Sequence, residues 1–295
     1  MVLLRPQQAG ASTHAARIFH FSDIFLMKFS AISSFATALS LAVLTLSGCK
    51  KDEDTPANKG EVTLHMDNGV TMTGTNGPAF NSLVLATGSY LNAAGDDFKV
   101  TTFKYYISNI KLLKADNSAY TLPAAYYLVD HSKPDTQELT LKDIPVGDYT
   151  AVSFMVGVDS TRSKAGNFTE AALSSNNGML WTMNGVDEFI NLNLSGYSTR
   201  SPSGGLTFHI AGYKHSTTNT IRTVTVPFPA ANSPMLVRAD HSPEIHMQVD
   251  IAKMFTGPNP VRFSSVYSVM GGAPAVQIAN NIQAGMFTVA HVHAN

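Results

Sequence analysis

The strongest constraint on this chain is an alternation of apolar and polar residues that recurs from residue 61 to residue 293. Successive side chains on a strand point to opposite faces, so an alternating run has one face to bury and one to solvate. Val62, Leu64 and Met66 alternate with Thr63, His65 and Asp67. Ile190, Leu192 and Leu194 alternate with Asn191, Asn193 and Ser195, and the pattern returns over residues 206–210 and 244–251. β-Branched and aromatic runs at 81–91, 98–113, 126–130, 149–158, 220–228 and 287–293 read as further strands. Turn residues punctuate them, at Asp67-Asn68-Gly69, Asp116-Asn117-Ser118 and Pro145-Val146-Gly147-Asp148. The pattern predicts an all-β chain, a β-sandwich of about ten short strands. One or two short helices are expected, chiefly over Pro274–Ala284, with single turns near 170–173 and 252–255.

Composition narrows the function. The 295 residues carry 20 Lys+Arg against 21 Asp+Glu, and 44% are hydrophobic. Disorder needs low hydrophobicity with high net charge, and neutralising nucleic-acid phosphates needs a basic excess. Neither condition is met, so no nucleic-acid partner is expected. One cysteine excludes an intrachain disulfide framework and any Cys-rich metal site. The nucleophile-elbow, zinc-protease, phosphate-loop and dinucleotide signatures are absent, so no catalytic residue is assigned and a non-enzyme is expected.

The N-terminal part reads as a targeting segment. Met27-Lys28-Phe29 opens a short basic region, and an apolar run follows from Ala31 to Leu46. That run is shorter than the ~20 residues of a comfortable membrane-spanning helix and has the build of a signal peptide. It ends in Leu46-Ser47-Gly48-Cys49, the form of a bacterial lipobox, with the lone cysteine where a lipid would be attached. The expected organisation is therefore a mis-assigned extension at 1–26, a lipoprotein signal at 27–48, a lipidated tether at 49–60 and one domain at 61–295. Lys50-Lys51-Asp52-Glu53-Asp54 resembles the acidic export tag of surface lipoproteins in Bacteroidetes. An outer-membrane lipoprotein, facing the periplasm or the cell surface, is the localisation this predicts.

Histidines carry the chemistry. His291-Val292-His293 places two histidines on one strand face with Cα atoms about 6.6 Å apart, a spacing at which two rings can meet one ion. Imidazole suits copper, zinc, iron and nickel. An exposed pair without a ligand is the plainer alternative. His65, His209 and His246 each sit mid-strand opposite the apolar face of their run, a position that is usually just surface. His131 and His241 stand beside Asp130 and Asp240, which could orient their rings. Trp181 is the only tryptophan, flanked by Met179 and Met183.

Several blocks resemble the MbnP-like family of copper-binding periplasmic proteins. The most specific is Phe103-Lys104-Tyr105-Tyr106-Ile107-Ser108-Asn109-Ile110-Lys111-Leu112. Tyr127-Leu128-Val129-Asp130, Ile144-Pro145-Val146-Gly147-Asp148-Tyr149, Val156-Gly157-Val158-Asp159-Ser160, Gly178-Met179-Leu180-Trp181 and Phe208-His209-Ile210-Ala211-Gly212 follow in the family's order, then the terminal stretch from Met286 to His293. The resemblance implies a β-sandwich that binds copper outside the cytoplasm. It implies Cu(I) held by histidines, with a tryptophan oxidised to kynurenine by a di-haem peroxidase of the MauG type. Carried over by position, it points to His209, His291 and His293 as ligands with Trp181 nearby; His65 is a further candidate, three residues before the position of the family's first-strand histidine and so on the opposite face of a strand. This chain departs from the family at Met183, where many relatives have a second tryptophan. It departs again at Met66-Asp67-Asn68, where many read Phe-Asp-His, and over Asn184–Ile190. A surface lipoprotein that binds glycan or protein without metal is the competing expectation.

Overall fold

The alternation that opens at Val62 runs further than the turn expected at Asp67-Asn68-Gly69. In the computed structural model, which describes residues 58–183, 186–214 and 217–293, the first strand extends over Lys59–Gly74. Asn68 is buried in that strand. Its amide donates to Gln137 Oε1 at 3.0 Å, and its Oδ1 accepts the Tyr105 hydroxyl at 2.9 Å. Gly69 serves close approach rather than a turn, since a Cβ there would lie 2.5 Å from the Asn81 carbonyl oxygen. Expectations placed on residues 1–57, including the signal segment and Cys49, lie outside the described residues.

The strands in chain order are β1 (Lys59–Gly74), β2 (Gly77–Ser82), β3 (Tyr90–Leu91), β4 (Asp97–Leu113), β5 (Ala119–Thr121) and β6 (Tyr126–Asp130). Next come β7 (Glu138–Pro145), β8 (Gly147–Tyr149), β9 (Ala151–Val156), β10 (Leu180–Met183), β11 (Val186–Tyr197) and β12 (Gly205–Ala211). The last are β13 (Arg222–Pro227), β14 (Met235–Val237), β15 (Glu244–Asp250), β16 (Ser268–Met270) and β17 (Phe287–His293). The count exceeds about ten because several strands are two or three residues long. Among the described residues, the α-helices are α1 (Ser160–Ala165) and α2 (Gly272–Gly285).

These strands form an all-β, sandwich-like fold. One sheet runs β17-β15-β1-β2, with β7 also on β1. Strands β7 and β2 share one edge of β1, the first along Lys59–His65 and the second along Gly69–Gly74. The other sheet runs β13-β9-β4-β11-β12-β16, with β10 on β11 and β3, β5 and β6 on β4. A separate pair joins β14 to β8.

The apolar faces of both sheets meet in one core. Leu64, Met66, Ile245 and Met247 enter it from the first sheet, and Phe103, Tyr105, Leu192 and Phe208 from the second. Phe287 of β17 meets Phe154 of β9 edge-on at 5.1 Å, a direct contact between the layers. Helix α2 packs on the core through Ala275, Ile278, Ala279 and Ile282, the spacing of one helical face. Its buried Asn281 donates to the Met254 and Asn259 carbonyls, tying α2 to the 3-10 turn at Ile251–Phe255.

Phe208 is fully buried among Phe255 and Phe263. A Phe208→Ala variant is expected to lose about 3–5 kcal/mol of unfolding free energy, as phenylalanine truncations in packed cores do. Equilibrium urea denaturation checks it; a loss under ~1 kcal/mol would show that the two sheets do not close over this ring.

Candidate metal centre

Strand register assembles the site. β1 and β15 pair in parallel with His65 opposite His246. β15 and β17 pair antiparallel with His246 opposite His291. On the other side of β1, Glu138 of β7 stands opposite His65. Directly paired residues share a sheet face. Glu138, His65, His246 and His291 therefore form one row across four strands. His293 pairs with Glu244 in the next row, and Asp67 follows His65 two residues along the same face of β1. The face is the outer one, because the intervening Leu64, Met66, Ile245 and Met247 are buried.

The C-terminal pair reaches that face through an irregularity. Phe287 and Val289 point into the core, so strict alternation would send His291 inward as well. The β15–β17 register instead shifts between His246 and Met247, where Ala290 is the extra residue of a β-bulge. Alternation resumes in the opposite phase, with Val292 buried and both histidines exposed.

The rings lie close together. The centroids of His65 and His246 are 5.0 Å apart and stacked, and those of His246 and His291 are 4.5 Å apart and stacked. His293 stands edge-on to His246 at 4.9 Å and to His291 at 4.4 Å. The Nε2 atoms of His291 and His293 approach to 2.8 Å. Carboxylates surround the rings. Asp67 lies 2.9 Å from His246 Nδ1 and 3.2 Å from His65 Nε2. Glu244 lies 3.4 Å from His246 Nε2 and 3.6 Å from His65 Nδ1, and Glu138 also lies 3.6 Å from His65 Nδ1. The nitrogen His65 Nδ1 is buried with no hydrogen-bond partner among the described residues.

This donor set fits a transition-metal ion. His246, His291 and His293 each offer a ligand atom within 4.8 Å of the others, and His65, Asp67 and His246 do the same. Metal–imidazole bonds of about 2.0–2.1 Å let one ion bridge such gaps with small side-chain movements. Desolvation by the surrounding rings, with the neighbouring His246 and His293, lowers the pKa of His291 and so favours the neutral form that can donate to a metal.

His209 and Trp181 lie elsewhere, and the expectation of a single pocket joining them to the C-terminal pair is corrected here. Both residues sit on strands flanking β11 in the other sheet, where Trp181 pairs with Glu188 and His209 with Asn193. Phe208 points into the core, so His209 faces out on the opposite side of the sandwich. Packed sheets stand about 10 Å apart, and the two sets of side chains point away from each other, so no one ion reaches both. The structure does bring Trp181 and His209 together, edge-on with centroids 5.4 Å apart. Trp181 Nε1 and His209 Nδ1 are both buried without a hydrogen-bond partner among the described residues. Burial lowers the pKa of His209. Met270, exposed on β16, is its register partner.

Of the remaining histidines, His241 Nδ1 lies 3.0 Å from Asp240 as expected. The His131 ring turns instead to Gln137 and the Leu83 carbonyl, and Asp130 pairs with Lys104. The sequence pattern places His246 on an outward face but assigns none of His246, Asp67 and Glu244 to the site. One signal was present: the His-Met step of the first run, His65-Met66, recurs at His246-Met247.

Comparison with known proteins adds the family context. A family model described as MbnP matches residues 59–271, a span that holds His65, Trp181, His209 and His246 and stops short of His291. Among solved structures, MbnP from Methylosinus trichosporium is similar at 13% identity and a TM-score of 0.44, over 74% of this chain and 87% of that one. No curated protein matches.

Two outcomes follow from the geometry. Deleting Ala290 removes the bulge yet leaves an alternation that keeps both terminal histidines outward, with His291 still opposite His246. The variant is expected to fold and to retain metal affinity within a fewfold, measured by titration. In metal-free protein, NMR should show His209 titrating below the unperturbed value of about 6.5. Since its folded pKa is depressed, the stability linked to it is present above pH ~6.5 and is lost as pH falls through the folded value. A midpoint above 6.5 would contradict the burial seen at this ring.

Proposed function

The chain belongs to the MbnP family, and from that premise we propose that it is an extracytoplasmic copper-binding protein with its metal held among His65, His246, His291 and His293. The observation that carries this reading is the convergence of four imidazoles from three strands onto one outer face. Imidazole is a good copper donor, and the family membership favours copper over the other ions that imidazole binds. Asp67, Glu138 and Glu244 give the face a negative potential that attracts cations. Binding rather than turnover is the proposed role, so the chain is read as a non-enzyme. Lipidation at Cys49 would hold it at the outer membrane, with the charged tether ahead of Lys59 spacing the domain from the lipid; an acylated cysteine carries the two or more chains that stable anchoring needs.

A second reading concerns Trp181 and His209. Their edge-on contact and two unpartnered buried nitrogens favour a separate locus on the opposite face. There Trp181 is the residue that a MauG-type di-haem peroxidase would convert to kynurenine, the modification implied by the family resemblance. Intact and peptide mass spectrometry of protein isolated from its native host reads this directly; an unmodified Trp181 removes the proposal.

Copper titration of the purified protein tests the main reading. Wild type should bind one equivalent tightly at pH 7.5 and more weakly in acid, because a protonated imidazole has no lone pair to donate. A His246→Ala/His291→Ala/His293→Ala variant should lose that equivalent, whereas His209→Ala should keep it. Wild-type affinity in the triple variant, or a melting temperature indifferent to copper, would favour a surface lipoprotein that binds glycan or protein instead.

A further inference from the structure

Asp67 stands between two rings of the cluster. Its Oδ2 is 2.9 Å from Nδ1 of His246 and its Oδ1 is 3.2 Å from Nε2 of His65. An ionised carboxylate only accepts hydrogen bonds, and a neutral imidazole has one N–H and one lone pair. His246 Nδ1, hydrogen-bonded to Oδ2, therefore carries the proton, and Nε2 of His65, 3.2 Å from Oδ1 and nearer a carboxylate than Nδ1 of the same ring, takes the proton there. His246 is then the Nδ1–H tautomer and His65 the Nε2–H tautomer, which leaves the lone pairs on His246 Nε2 and His65 Nδ1.

Those two nitrogens face one place. Glu244 Oε1 lies 3.4 Å from His246 Nε2 and 3.6 Å from His65 Nδ1, and Glu138 Oε1 is 3.6 Å from the same Nδ1. Lone pairs opposite carboxylate oxygens repel unless a cation, either a second proton on the ring or a metal ion, lies between them. His65 Nδ1 is also buried without a hydrogen-bond partner among the described residues. Histidines that bind metals commonly give their other N–H to a carboxylate, which fixes both tautomer and ring direction.

Resting on the copper reading of this site, we propose that Asp67 is a positioning residue that holds His65 and His246 in opposite tautomers, so that Nδ1 of the first and Nε2 of the second face the metal. Each carboxylate oxygen serves one ring. Asp67 therefore stays out of the coordination sphere, although it lies close enough to the two rings to be mistaken for a ligand. Glu244 is the carboxylate placed on the metal side. Asparagine at position 67 offers one acceptor and one donor. It satisfies one ring and turns an N–H on the other, which must invert its tautomer.

The test uses the full domain with 15N-labelled histidine and long-range 1H–15N NMR, with and without Cu(I), which is diamagnetic. Metal-free wild type should show Nε2–H for His65 and Nδ1–H for His246. Cu(I) should then shift His65 Nδ1 and His246 Nε2. In Asp67→Asn, one of the two tautomers should invert and the Cu(I) affinity should fall about 10- to 100-fold, the usual cost of losing such a partner. Asp67→Glu, which keeps two acceptor oxygens, should recover part of that loss. Shifts at His65 Nε2 and His246 Nδ1 on loading would make Asp67 a ligand and overturn the proposal, as would an affinity within twofold of wild type in Asp67→Asn. If wild type binds no copper, the copper reading fails by itself, while the metal-free tautomers still decide whether Asp67 clamps the rings. The wild-type spectra need no variant, so a folding defect in Asp67→Asn does not blunt the test.

Discussion

The parallel pairing of β1 with β15 is the interaction on which the site depends. It joins residues far apart in sequence with Leu64 beside Ile245, His65 beside His246 and Met66 beside Met247. A slip of one residue would set buried positions of one strand against outward positions of the other, and the apolar pattern forbids it. A slip of two would keep the core face apolar but move His246 away from His65. The outer-face row therefore relies on the packing of particular side chains in the core, Met66 and Met247 among them, as well as on polarity. Strand β17 completes the row on the far side of β15, anchored by Phe287 against Phe154 and Tyr105 of the opposite sheet.

The sandwich keeps two kinds of chemistry apart. One outer face gathers imidazoles among carboxylates, a borderline set of donors with a negative potential. The other brings together an indole, an imidazole and, one strand over, a thioether, with Glu188 and Lys104 in the neighbouring register positions. The apolar core between them lets each locus be held rigidly, because every outward side chain of a row alternates with an inward one locked by packing. The same alternation leaves the carboxylates of the histidine face partly solvated, and Asp67 accepts a hydrogen bond from His246.

The bulge at Ala290 shows how local irregularity serves the site. With one residue more than a regular strand needs, the terminal segment would carry either Phe287 and Val289 or the two histidines to the wrong side. The bulge absorbs the extra residue, so both the aromatic anchor and the ligands face where they are needed. Bulges recur at functional edges of sheets for this reason.

Read alone, the sequence determined the all-β fold, the helix near Pro274–Ala284, most strand centres, and the outward placement of His65, His209 and His246, because alternation is a local property of the chain. It also pointed to a family through blocks that each lie within one segment. Which histidines meet was decided only by the tertiary structure. Strand partners, parallel register and the side of the sandwich are set by packing between segments up to two hundred residues apart, and no local pattern encodes them. For that reason His209 and the C-terminal pair, alike in sequence, fall on opposite faces, while His246 and Asp67, unremarkable in their own strands, stand at the centre of the cluster.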